Sequence, residues 1–373
     1  MNKLPTDFSL RLLPVLRGIF FCLIFVAVIL TGAVLRSAQS VFIPLIFAWI
    51  LAQALSPLVR IFNRWKVPTS LMITVVLVLL MVLLYWLALF ISSSATSFAQ
   101  QLPAYQTKLA QMLADVVTNI SHHFDSLSAE EINRQIGQQI GRLSGQIMLI
   151  ISRLAGMITG LISDLVMIII MLAFILIGQK YTGSKIINAF SPDTAARVVK
   201  MSQSISGNIS SYLIIQTAIS LVTGIFVGVT CKLLGIPNAE TWGALAFFLN
   251  FIPTIGSILA SIPPILLALL QFYPNVWPAL GAAILILVIN QVLGNVITPK
   301  LMGDTLDLSP VVILLSLLFW GWLWGIPGAF LSVIILATLK IVAEQIEPLR
   351  PLAVFMSSGK HLPRDAEEKK KDG

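Results

Sequence analysis

Charge is what this chain has least of. Only 11% of its 373 residues are Asp, Glu, Lys or Arg, about half the share usual in soluble domains. A compact soluble domain needs polar surface to cover itself, and with 57% hydrophobic residues this chain cannot supply one. Cysteine is nearly absent: Cys22 and Cys231 lie in or beside apolar runs, which excludes a disulfide framework and Cys/His metal spacing. His122 and His123 are adjacent but have no acidic or Cys partner at ligand spacing, so they read as a solvated loop. Carboxylates avoid the apolar runs. Asp164 alone lies well inside one, while Glu240, Asp304 and Asp307 sit at the ends, so a fixed cation site inside the membrane has thin support. There is no phosphate-binding Gly-rich loop, catalytic triad or metal motif. The expectation is a protein that is not an enzyme, with no catalytic residue, no metal and no cofactor. The net charge of +8 is scattered rather than patched, so nucleic acid is not an expected partner.

What the chain does have is long apolar runs. Gly18–Leu35, Val41–Val59, Leu71–Ile91, Ile147–Ile177, Tyr212–Cys231 and Ala279–Ile297 each approach or exceed the roughly 20 residues of a membrane-spanning helix. Helix is the workable form, because lipid offers backbone amides no partner and the runs lack barrel-type alternation. The first run follows Lys3, Arg11 and Arg17 as a signal peptide would. It is long for one, lacks a small-x-small cleavage site and is followed at once by a second run, so it reads as a retained span. With the N-terminus cytoplasmic, most of the 24 basic residues fall on inside segments, among them Arg60, Arg64, Lys66, Lys180, Lys185, Arg197 and Lys200. That bias predicts an inner-membrane protein with both termini cytoplasmic. The lipid bilayer is its first partner.

Between the third and fourth runs, Ser92–Gly145 is polar and carries a Ser-x-x-Glu capping box, Ser128–Glu131, which predicts a helix starting at Ala129. Leu109, Met112, Leu113, Val116, Val117 and Ile120 recur at helical spacing, so this segment is expected as amphipathic helices outside the membrane.

The last third departs from plain spans. Trp242–Leu270 would be ~43 Å long as a straight helix and Pro310–Lys340 ~46 Å, against a hydrocarbon core ~30 Å thick. The first is broken by Pro253, Gly256, Pro263 and Pro264, the second by Gly321, Gly325, Pro327 and Gly328. Each fits either a kinked span or a re-entrant hairpin, and charge counting cannot separate them because the parity is the same. Span, Lys232-Leu-Leu-Gly235, broken block, then span, Lys300-Leu-Met-Gly303, broken block favours the hairpins as an inverted repeat, the design that places substrate at discontinuous helices. The fold class is therefore all-α: a polytopic membrane protein of about eight membrane segments, with two span-plus-re-entrant-hairpin repeats in its last third. The expected organisation is a three-span region 1–91, an extracytoplasmic segment 92–146, a transport core 147–348 with hairpins at about 242–271 and 309–341, and a cytoplasmic tail 349–373, disordered at its end.

Uncharged polar residues gather at these breaks. Asn250, Thr254 and Ser257 flank the first. Gln291, Asn295 and Thr298 lie along one face of the next span, and Gln216, Ser220 and Thr223 do so on the preceding one. Such residues can be helix–helix glue. Beside unwound backbone they can also be a site. The candidate substrate-binding set is Asn250, Pro253, Thr254, Gly256 and Ser257, with Gln291 and Asn295 opposite.

Arg64-Trp-Lys-Val-Pro68, the run Trp242 to Ser257, Ile262-Pro-Pro264, Gly294 to Gly303 and Leu308–Gly328 resemble the autoinducer-2 exporter (AI-2E) family of bacterial membrane transport proteins. The likeness covers most of the chain, is loosest in Ser92–Gly145, and runs to the branch named for export of autoinducer-2. It implies an inner-membrane homo-oligomer, by family pattern a pentamer, whose hairpins move a small polar substrate. Other members are sodium(lithium)/proton antiporters, which here would require Asp164, Asp304 or Asp307. A non-transporting scaffold or regulator is the third reading.

Overall fold

The computed structural model describes residues 6–64, 68–121, 129–302 and 306–359. Among them the regular structure is entirely helical. The helices are α1 (Thr6–Ser37), α2 (Gln39–Arg64), α3 (Thr69–Ser121), α4 (Ala129–Ala189), α5 (Pro192–Leu233), α6 (Ala239–Leu249), α7 (Ile255–Phe272), α8 (Trp277–Gln291), α9 (Thr298–Met302), α10 (Pro310–Gln345) and α11 (Arg350–Met356). Among the described residues, four stretches are long and apolar enough to cross a membrane: α5, α7, Trp277–Met302 and α10. Counting bent pairs in the first half gives up to six. Exposed Leu, Ile, Val and Phe side chains cover these helices, as a surface solvated by lipid requires.

The polar segment expected as amphipathic helices is helical where described, and each part continues the apolar run beside it. α3 has 53 residues and α4 has 61, ~80 and ~90 Å, far more than a bilayer needs. Only Pro103 interrupts α3, within its polar half, so the helix runs from the apolar run into Ser92 and on. The described part of α4 begins at Ala129, where the capping box puts it; Ser128, His122 and His123 lie outside the described residues. The expected tail is helical at first, through α11, and residues 360–373 lie outside the described set.

α5 serves as a ruler for the last third. Near its C-terminal end the chain turns at Gly235 and α6 runs back along it, with glycine against glycine: a Cβ built on Gly243 would lie 2.6 Å from the Gly224 carbonyl oxygen. At Asn250 the helix stops. Thr254 takes a positive φ of 60° and α7 begins at Ile255. Gly256 lies so close under the Leu249 carbonyl that a Cβ would meet its oxygen at 1.7 Å. α7 returns to its starting level, where the Gln271 Nε2 donates to the Gly235 carbonyl at 3.1 Å. A bond between residues 36 apart, together with the contact of Gly256 on Leu249, makes α6–α7 an antiparallel helical hairpin.

The second broken block folds back likewise. Inside α10, Gly325 has φ 66° and ψ −141°. The Ser316 Oγ donates to the Ser332 carbonyl at 3.0 Å, residues that a straight helix would separate by ~24 Å. A Cβ on Gly328 would lie 1.9 Å from the Trp320 oxygen. At the base, the Lys340 ammonium reaches Asp307 at 3.1 Å. This base lies beside Asn208 of α5, 24 residues from Lys232 and so ~36 Å along the helix. The two hairpins thus start from different levels of α5, the first at its C-terminal end and the second beside its middle. Their inner ends overlap, with the Phe251 and Phe330 rings stacked at 4.9 Å.

The polar half of α3 braces the first hairpin. Thr241 bonds Ser94 at 2.9 Å, Lys108 donates to the Gln271 carbonyl at 3.1 Å, and Phe98 packs edge-on against Trp242. That segment therefore lies at the Lys232 end of α5.

Candidate functional site

Where the first hairpin turns, neutral hydrogen-bonding groups from four helices converge. The Gln216 Nε2 donates to the Asn250 carbonyl at 2.7 Å, the Asn250 Nδ2 donates to the Ser220 Oγ at 3.0 Å, and the Ser257 Oγ donates to the Asn250 Oδ1 at 3.3 Å. Ser220 is wholly buried. One turn further on, the Ser261 Oγ donates to the Ser257 carbonyl at 2.6 Å and receives the Asn290 Nδ2 of α8 at 2.9 Å. The backbone causes this gathering: Pro253 has no N–H, and the turn leaves helix-end carbonyls that need donors in a medium without water. Asn250 supplies both polarities from two separate atoms, donating through Nδ2 and accepting through Oδ1.

The structure joins Asn250 and Ser257, and sets Pro253 and Gly256 as the turn that presents them. Thr254 is placed differently: it is exposed, with its hydroxyl on the Pro253 carbonyl at 2.7 Å. Gln291 and Asn295 do not lie opposite Asn250. Both are exposed, and the Asn295 Nδ2 bonds the Gln291 Oε1 at 2.7 Å. Asn290 occupies the facing position instead. One residue turns a helix by ~100°, and the π-helical turn Val292–Ile297 shifts the face again below it.

A second polar place lies at the base of the other hairpin. Asn208, Asp307, Lys340 and Glu344 border a cavity of about 200 Å³. The Lys340 side chain is only 7% exposed and its ammonium is ringed by oxygens: the Leu306 carbonyl at 3.2 Å, the Asp307 carbonyl at 2.8 Å, the Asp307 Oδ2 at 3.1 Å and the Glu344 Oε1 at 3.4 Å. The other Asp307 oxygen accepts from the Ser358 backbone N–H and hydroxyl, tying in the segment after α11. Of the acids weighed from sequence, Asp164 is exposed on α4 and Asp304 lies outside the described residues.

The profile of the AI-2E family transporters matches residues 20–347, which takes in both hairpins and the helices that hold them. The chain belongs to the AI-2E transporter family. A putative transport protein of Borreliella burgdorferi is 31% identical over 93% of this chain and 92% of its own length. One from Haemophilus influenzae is 34% identical over 85% of this chain and 90% of its own. The AI-2 transport protein TqsA of Escherichia coli (strain K12) is 30% identical over 88% of this chain and 92% of its own. This AI-2E chain is accordingly a multi-pass bacterial membrane protein of a transport family.

Sequence reasoning missed two residues of these polar clusters in the AI-2E chain. Asn290 stands beside a more conspicuous polar stripe on the same helix. The signal that could have singled it out is the four-residue spacing of Ser257 and Ser261 on α7, which demands a polar partner on one face of the next helix. Lys340 is the other: it is the only Lys or Arg within the long apolar block Pro310–Lys340, at its very end, and it reads as a span terminus until Asp307 is seen to fold back onto it.

Proposed function

We propose that this protein is an inner-membrane transporter that exports autoinducer-2 or a similar small, neutral, hydroxyl-rich metabolite. The carrying observation is the uncharged network of Gln216, Ser220, Asn250, Ser257 and Asn290 at the turn of the first hairpin. A neutral polyol asks for hydrogen bonds rather than a countercharge, and this network offers amides and hydroxyls without an acid. The substrate class also draws on the name of the Escherichia coli relative. The site is proposed as Asn250 and Ser257, held by Pro253 and Gly256, with Asn290, Ser220 and Gln216 across from them. Sodium/proton antiport is the second reading, favoured by the two carboxylates, Asp307 and Glu344, at the cavity beside Asn208.

Both hairpins are proposed to be re-entrant, entering the bilayer from opposite faces, and both termini to be cytoplasmic. The exposed Gln291–Asn295 pair interrupts a lipid-facing surface, and we assign it to contact with a second copy in a homo-oligomer.

Efflux of autoinducer-2 from proteoliposomes, run beside sodium-driven proton movement, tests the function. Asn250→Ala is expected to keep oligomer size and weaken transport. A hydrogen bond to a neutral ligand contributes ~0.5–1.5 kcal/mol, roughly 2- to 13-fold in affinity. Wild-type efflux from an assembled Asn250→Ala, Ser257→Ala double variant would remove the site.

Topology is tested separately in a chain with Cys22 and Cys231 replaced. Cysteines at Leu233 and Asn275, both exposed at the base of the first hairpin, are expected to react with an impermeant maleimide from one face. A cysteine at Glu347 is expected to react from the other. Labelling of Leu233 and Asn275 from opposite faces would establish a kinked span.

A further inference from the structure

The two polar places, the network at Asn250 and the cavity at Asn208 and Lys340, are separated by aromatic rings. Phe251 follows Asn250 directly in the chain. Its ring stacks on Phe330 at 4.9 Å with the planes 28° apart. Phe330 in turn packs on Phe47 of α2 at 5.7 Å, and Phe251 receives the edge of Phe247 of α6 at 5.6 Å. Four rings therefore run in contact from the first hairpin, across the second, to the α2 scaffold. Along the second hairpin, Phe330 is ten residues before Lys340, ~15 Å of helix. The rings stand next to the network and one short helical stretch from the cavity.

We propose that Phe251 and Phe330 form the closed gate between the Asn250 network and the cavity at Asn208 and Lys340, on a path for small neutral polyols. This rests on the transport reading of the Asn250 network. An apolar constriction bars polar solutes by refusing the water they carry. Polar groups lie toward either end of this ring stack: Asn250 immediately precedes Phe251, and Lys340 follows Phe330 by ten residues. The gate has one ring on each hairpin, so displacement of either hairpin relative to the other parts it. The chemistry is suited to repeated opening. Stacked phenyl rings add little beyond the area they bury, and each of the two rings is only half-buried.

The test needs no knowledge of the natural substrate. Purified protein is reconstituted in liposomes, and swelling in iso-osmotic erythritol is followed by light scattering. Phe251→Ala, Phe330→Ala protein is expected to raise the swelling rate at least threefold over wild type and over empty vesicles, with an unchanged elution volume in detergent. Phe330→Leu, which keeps most of the apolar volume, is expected to stay near the wild-type rate. A swelling rate of the assembled double variant equal to wild type overturns the gate. If the double variant does not assemble, Phe330→Ala alone is read in the same assay, where a rate equal to wild type overturns it equally. Outcomes separate from those of the transport reading: a leak in the variant without autoinducer-2 efflux in wild type keeps the barrier and removes the carrier. Asn250-dependent efflux without a leak does the reverse.

Discussion

Gly256→Ala and Gly328→Ala are each expected to cost at least ~3 kcal/mol, enough to deplete the assembled protein. Overpacking a well-filled site usually costs 1–3 kcal/mol when side chains can give way. Here the obstacle is backbone. A Cβ on Gly256 would lie 1.7 Å from the Leu249 carbonyl oxygen, and on Gly328 1.9 Å from that of Trp320. Neither oxygen can retreat without reopening the turn that defines its hairpin. The control is Gly294→Ala on the Trp277–Met302 span, where a Cβ would meet nothing within 4 Å; a helical Ala is expected to be neutral or slightly stabilising there. Fluorescence-detected size-exclusion after heating ranks the three. A Gly256→Ala melting temperature within two degrees of Gly294→Ala would mean that the hairpin does not close so tightly. Gly325 is a different case. Nothing crowds its missing side chain, but its φ of 66° and ψ of −141° lie where other residues are strained. Gly325→Ala is expected to cost less than Gly328→Ala.

These glycines explain why the hairpins were legible in the sequence. Proline and glycine near the middle of an apolar block too long for one upright span leave a kinked span and a hairpin open, and the repeat of span and broken block favours the hairpin. The cluster at Asn250 was legible for the same reason, since a broken helix in lipid must find hydrogen bonds locally. Orientation of the neighbouring helix was not. In a soluble protein the apolar stripe of a helix marks its buried face. In a bilayer lipid is as apolar as the core, so a polar stripe can face either a site or a partner. The span Trp277–Met302 carries polar groups at 290, 291 and 295, and no pattern within it says which turns inward. Packing decides it: Ser257 and Ser261 face Asn290, which leaves Gln291, ~100° further round the helix, and Asn295, within the π-helical turn, on the outside. The length of α3 and α4 was illegible for a related reason. A change from apolar to polar composition marks where a helix leaves the membrane, and nothing at that point obliges the helix to end.

Lys340→Met is expected to destabilise the second hairpin by ~3 kcal/mol, since removing one partner of a buried pair typically costs 3–5 kcal/mol and partial hydration of Glu344 lowers that figure here. The loss is not of the lysine's own attraction alone. Without the ammonium, two carboxylates and two backbone carbonyls face one another across a cavity already short of donors. Adding Asp307→Asn to Lys340→Met is therefore expected to restore part of the loss, which a double-mutant cycle reads as coupling of at least ~1 kcal/mol. Strict additivity would mean that the clamp is ornamental. The pair also sets an acid response. Burial alone would raise the Asp307 carboxyl, but the bonds from the Ser358 hydroxyl and the Lys340 ammonium outweigh it and hold the group below the ordinary carboxylate value. A carboxyl depressed in the folded state contributes stability that is present in full above its unfolded value, ~3.9, and is lost as pH falls through the folded one. Between pH 7 and 5 the Asp307 contribution is thus expected to be flat, with loss confined to pH below about 4. In Lys340→Met a supporting partner is gone, the carboxyl moves back upward toward its unfolded value, and the Asp307 acid loss shrinks. Melting curves at pH 7, 5, 4 and 3.5 for wild type, Lys340→Met and Asp307→Asn separate these cases. An Asp307→Asn protein whose acid profile matches wild type would show that the clamp does not govern the response.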